Sequence, residues 1–148
     1  MKNGYVHNHL ISAVEQQFRD VGAKVCREYP VNVRGRRGVI DLRVDFPCWP
    51  IACEAESTTS RRADWDVDKA RASGAKILLI LTPSGSLATS CRKQLQAKEA
   101  QGGLGSLWVF ILRLGALPEW LARYLPLISP SFEESKTDTP GKQTGTHS

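Results

Sequence analysis

The sequence predicts an α/β fold with elements in the order αβββαβ followed by αβα, and three observations carry that prediction. An apolar stripe with helical spacing opens the chain, and short alternating runs follow it. One uninterrupted apolar run, Lys76-Ile-Leu-Leu-Ile-Leu-Thr82, then lies between Gly74 and Pro83. That run is short enough for a strand buried on both faces, and such a strand needs helices on both sides.

Each element has its own signal. The first helix is read from His9 to Val21, where Leu10, Ile11, Val14, Phe18 and Val21 follow helical spacing and Gly22 suits the C-terminal cap. Glu15 sits at the border of that stripe, open either to a sheet or to solvent. Ala23 to Val33 reads as a strand through Val25, Tyr29, Val31 and Val33, and Val33 to Gly38 as a loop or hairpin turn. Val39 to Phe46 and Ile51 to Glu56 read as two further strands around Pro47-Cys48-Trp49-Pro50. Beyond the polar connection Ser57 to Arg62, Asp64 is placed as the N-cap of a helix running to about Ser73, with Asp66 and Asp68 near its positive end. After the buried run come a polar helix over Ser86 to Gln101, a strand over Ser106 to Leu114 and a last helix over Pro118 to Ile128.

The two middle strands place three carboxylates together. Period-two alternation puts Ile40, Leu42, Val44 and Phe46 on one face and Asp41, Arg43 and Asp45 on the other. In the next strand Ile51, Cys53 and Ala55 share a face, and Ala52, Glu54 and Glu56 share the opposite one. Pairing the strands brings Asp41 toward Glu54 and Glu56. Crowded carboxylates repel, so a chain that keeps them usually adds a cation, and all-oxygen ligands suit Mg²⁺ or Mn²⁺. A two-stranded ribbon with one wet face gives the same alternation.

With 148 residues the chain suits one domain, taken as 1–128, with a tail from Ser129 to Ser148. The tail is rich in Ser, Thr, Pro, Gly and Lys, has Phe132 as its only large apolar residue, and is expected to be disordered. Its two lysines against three acids make a net −1, so the rest carries +6 of a whole-chain +5. Arginines cluster at Arg34, Arg36 and Arg37 and at Arg61 and Arg62, on either side of the carboxylate strands, as expected where a metal and a phosphate meet. Simple solubility is the other use of such charge. Cys26, Cys48, Cys53 and Cys91 lack zinc-site spacing and read as reduced thiols. No apolar run approaches the roughly 18 residues of a membrane span, and the first residues are polar rather than signal-like, so the expected location is the cytoplasm. His7 and His9 precede the helix as capping or surface histidines, or as a phosphate contact. Trp49 and Trp65 are open to strand packing or to base stacking.

The order αβββαβ, with Asp41 in the second strand and Glu54-Ala-Glu56 in the third, resembles the PD-(D/E)xK nuclease superfamily, the restriction-endonuclease-like fold. The resemblance covers Val6 to Thr82, about half the chain. It implies a central mixed sheet flanked by helices and an Mg²⁺- or Mn²⁺-dependent endonuclease acting on DNA. Members typically have a Glu in the first helix, an Asp in the second strand and Glu-x-Lys in the third, matched here by Glu15, Asp41 and Glu54. Glu56 stands where most members have Lys, and Lys69 in Asp66-Val-Asp-Lys69 is the candidate for a lysine moved to the following helix. On this resemblance Asp41 and Glu54 hold the metal, and Glu56 takes a second metal or acts as base. Lys69 orients water or stabilises the transition state, and Glu15 binds an outer water. Arg34, Arg36, Arg37, Arg61 and Arg62 contact DNA. A homodimer through the Pro118 to Ile128 helix is expected by analogy. The alternative is a nucleic-acid- or partner-binding module that kept the fold and lost catalysis, since Glu56 replaces the usual Lys.

Overall fold

The computed structural model describes residues 4–56 and 62–129. Over these the chain forms α1 (Gly4–Asp20), β1 (Lys24–Val33), β2 (Arg36–Asp45), β3 (Ile51–Ala55) and α2 (Ala63–Ala72). Then follow β4 (Ile77–Thr82), α3 (Gly85–Ala100), β5 (Trp108–Arg113), a short 3₁₀ turn (Leu114–Ala116) and α4 (Leu117–Ile128). The expected order is therefore present. The tail past Ser129 and the connection up to Arg61 lie outside the described residues.

The strands form one mixed sheet in the order β1-β2-β3-β4-β5. β1, β2 and β3 meander antiparallel, while β3, β4 and β5 run parallel. Parallel neighbours need crossovers, and α2 and α3 supply them. Both pack on one face of the sheet, where Ala63, Val67 and Ala70 of α2 and Cys91 and Leu95 of α3 meet Ala52, Leu78 and Ile80. The other face is covered by α1 and α4: Val14 and Phe18, then Leu117, Trp120, Leu121, Leu125 and Ile128, pack on Leu42, Val44, Cys53, Leu79 and Leu81. β3 and β4 are buried throughout, as a strand with helices on both faces must be.

Local chemistry explains the boundaries. α1 starts at Gly4, five residues before the expected His9, because Val6 adds an apolar contact to the cluster of Leu10, Ile11 and Ala55. It ends at Gly22, whose φ of +84° suits a residue without Cβ, with the Gly22 and Ala23 amides bonded back to Arg19 and Phe18. The β1–β2 connection is a two-residue turn, Arg34 and Gly35 with φ of +49° and +86°, and Asn32 Oδ1 accepts from the Gly35 amide at 2.8 Å. Asp64 is not the N-cap of α2. It lies inside the first turn, and its Oδ1 accepts from the adjacent Trp65 amide. α4, the helix expected to carry a dimer contact, spends its apolar stripe on the core, and only Leu127 among its large apolar residues faces solvent. Among the described residues no helix is long and apolar enough to cross a membrane.

β2 departs from strict alternation. Leu42 and Val44 join the cluster under α1, whereas Ile40 joins the one under α2. The switch falls at Asp41, and in β1 the residue opposite, Glu28, has a φ of +53° and drops out of the ladder. Ile40 therefore does not share a face with Leu42, Val44 and Phe46 as period-two spacing predicts.

Candidate active site

The β2–β3 ladder is short. It pairs Val44 with Ile51, Arg43 with Ala52 and Leu42 with Cys53, and beyond that rung β2 parts from β3. β3 continues along β4, as far as the Glu56 amide bonded to the Leu81 carbonyl. An opening is left between β2 and β3 at the carboxyl end of a parallel strand, a place where α/β sheets commonly bind ligands. Backbone groups exposed by the parting need partners, and two side chains provide them. Asp41 Oδ2 accepts from the Ala55 amide at 2.9 Å, and Lys69 Nζ donates to the Val39 carbonyl at 2.7 Å.

Lys69 reaches there from α2. Its Nζ lies 2.9 Å from Glu54 Oε2 and 3.7 Å from Asp66 Oδ1. Gly38 makes the approach possible, since a Cβ at that position would lie 2.9 Å from Lys69 Cδ and 3.0 Å from Trp65 Cζ2. The cluster is buried: Glu54 and Asp66 are 0% exposed, Glu56 1% and Lys69 2%. Three carboxylates thus face one ammonium in a medium that solvates charge poorly. Burial drives the Asp66 carboxyl well above its ordinary range, and the charge of Glu54 and the hydrogen bond and charge of Glu56 push it the same way against Lys69. Burial without enough positive charge is thus what disfavours the ionised form of Asp66.

The neighbouring thiols sense the same field. Burial, then Glu54 and Asp41, hold the Cys53 thiol well above its usual value. Burial and Glu56 push Cys91 of α3 to about 11, against Arg92.

Asp41 also meets α1. His7 Nε2 lies 3.0 Å from Asp41 Oδ2, with side-chain exposures of 18% and 14%. The first helix therefore contributes His7 here and not Glu15, whose polar partners are Arg27 at 2.6 Å and Arg19 at 2.9 Å. Their hydrogen bonds, Arg27 first, hold the Glu15 carboxyl below its ordinary range. Among the described residues no three His, Cys, Asp or Glu side chains stand as a metal-holding group, and Asp41, Glu54 and Glu56 are divided among the partners given above. On β2 the Arg43 guanidinium lies 4.9 Å over the Tyr29 ring.

Of the predicted DNA-contacting residues, Arg34, Arg36 and Arg62 line one open groove of about 530 Å³ with Val33, Asp64, Trp65 and Asp68. The Arg36 guanidinium lies 4.0 Å over the Trp65 ring, and Arg34 and Lys98 flank Asp68 at 3.8 and 3.0 Å. Arg37 is exposed on β2, and Arg61 lies outside the described residues. Sequence reasoning missed His7 and Asp66 as members of the site. Asp66 had a signal: it falls between Ala63, Val67 and Ala70 on the buried stripe of α2, where an unneutralised carboxylate has no place.

No family model matches the chain, and no curated protein matches it. Among solved structures, the crystal structure of a protein of unknown function, AF1548, aligns with a TM-score of 0.47 at 15% identity, over 86% of this chain and 66% of that one.

Proposed function

We propose that the chain is a metal-dependent DNA endonuclease with a restriction-endonuclease-like core, in which Lys69 of α2 stands in for the lysine that Glu56 replaces. The observation that carries this is the position of the Lys69 ammonium in the β2–β3 opening, 2.9 Å from Glu54 and bonded to the Val39 carbonyl. Asp41, Glu54 and a lysine then flank one opening, although the lysine comes from a different element than in the usual Glu-x-Lys.

The donor set fits Mg²⁺ or Mn²⁺ in kind. It consists of carboxylate oxygens, with Glu54 and Asp66 both beside the single ammonium of Lys69. Asp41 and Glu54 would hold the ion, with Glu56 beside them. A bound divalent ion supplies Lewis-acid relief of phosphate charge and lowers the pKa of a water. The chain's own residues do the rest. Lys69 offers a positive charge to the non-bridging oxygens, His7 braces Asp41, and Asp66 holds Glu56 through their hydrogen bond. Arg34, Arg36 and Arg62 bind flanking phosphates in their groove.

A second proposal, a binding module without catalysis, is favoured by one feature. Glu54 is already neutralised by Lys69 in a fully buried pair. Supercoiled, linear, single-stranded and branched DNA, each incubated with Mg²⁺, Mn²⁺ or EDTA, separates the two. The nuclease cuts in either metal and not in EDTA, and Asp41→Ala and Glu54→Ala lose the activity. Binding without cutting in every metal leaves the module.

A further inference from the structure

The two edges of the sheet are built differently. β1 carries Lys24, Arg27, Glu28 and Pro30, with Glu28 at a φ of +53°, and such charges, prolines and kinks keep an edge from pairing. β5 has none of these devices. It reads Trp-Val-Phe-Ile-Leu-Arg, and its one charge, Arg113, stands at the end. β4 takes one side of its backbone, and among the described residues no strand takes the other. Both of its faces are apolar: Phe110 and Leu112 pack toward α4, and Val109 and Ile111 toward α3. None of its residues is fully buried although β4 beside it is buried throughout, and Trp108 is 60% exposed. Beside it runs an open groove of about 470 Å³ lined by Arg92, Leu95, Leu104 and Leu107, so α3 does not wall off the edge.

We propose that β5 pairs antiparallel with β5 of a second copy of this chain, about a two-fold axis at Phe110. Symmetry restricts the choice. An antiparallel pair of identical edges requires an axis perpendicular to the sheet, which keeps each side chain on its own face, so opposed residues must be separated by an even number of positions. The axis then passes through Phe110 or Ile111. With Phe110 on the axis, Trp108 faces the partner's Leu112 and Val109 faces the partner's Ile111, apolar against apolar on both faces. With Ile111 on the axis, Val109 would meet the partner's Arg113 and Trp108 would run past the end of the strand. The first register covers the exposed indole, and the second leaves it bare. Because the axis preserves faces, both β2–β3 openings lie on the same side of the joined sheet, with the two β3 strands five strand spacings apart, about 24 Å. The pairing does not depend on the nuclease proposal.

Light scattering on the full-length protein, with amide hydrogen exchange on the same samples, tests this. The expected mass is two 16.4 kDa chains, with slow exchange at the β5 amides that β4 does not take. Trp108→Lys, at a position exposed enough to tolerate it, is expected to weaken the dimer by more than about tenfold and to free those amides. The circular dichroism spectrum should hold, while the melting temperature falls with the lost association. A monomeric wild type overturns the proposal, as does a dimer that survives Trp108→Lys or one whose outer β5 amides exchange fast.

Discussion

At the scale of single residues, Lys69 decides most. An ammonium 2% exposed is tolerable because Glu54, Asp66 and the Val39 carbonyl surround it, and removing it strands a buried carboxylate. Lys69→Met should lower stability by about 3 kcal/mol, read from denaturant unfolding, because breaking one side of a buried pair costs more than the pair contributes. On the nuclease proposal the same variant cuts DNA at least about a hundredfold more slowly while binding it as tightly as wild type. Unchanged cutting would show that the ammonium serves the fold alone. Lys69 was visible in the sequence only through its place after Asp66 on a helix. Its burial was not, because a lysine three residues from an acid usually marks a solvated face.

At the scale of elements, the order of helices and strands was legible because each period is strong. The helical stripe of α1 and the all-apolar β4 each admit one reading, and buried strands require covering helices. The break in β2 was not legible. It arises from tertiary demands: the parting from β3, the Asp41 bond to the Ala55 amide and the positive φ of Glu28 across the ladder. Glu15 was misplaced for a related reason. Its border position on α1 suited either a site or a brace, and the nearby Arg27 of β1 makes it a brace. That assignment has a pH signature. The Glu15 carboxyl is held below its ordinary value, so the unfolded chain binds its proton first as pH falls. The ion pairs therefore stabilise fully above the unfolded pKa near 4.5 and are lost as pH drops through the folded one. Glu15→Gln should melt lower at neutral pH and lose less on going to pH ~3, with cutting unaffected. Thermal unfolding across that range reads the slope, and an acid limb as steep as that of wild type would remove Glu15 from this role.

At the scale of the whole molecule, three layers create the opening. α2 presents Asp66 and Lys69 to one face of β3, α1 presents His7 to Asp41, and the parted strands lie between them. Glu54 and Glu56 were legible as acids on one face of β3, but the separate partners of Asp41, Glu54 and Glu56 depend on helices far off in sequence. The proposal that they serve a divalent ion is tested most directly by titrating Mn²⁺ into the full-length protein and into Glu54→Gln, following bound metal by paramagnetic resonance and calorimetry and checking the fold of both by circular dichroism. Saturable Mn²⁺ binding by the wild type, competed by Mg²⁺ and lost in Glu54→Gln, is the expected result. A folded wild type that binds no Mn²⁺, or a Glu54→Gln protein that binds it equally well, would contradict it.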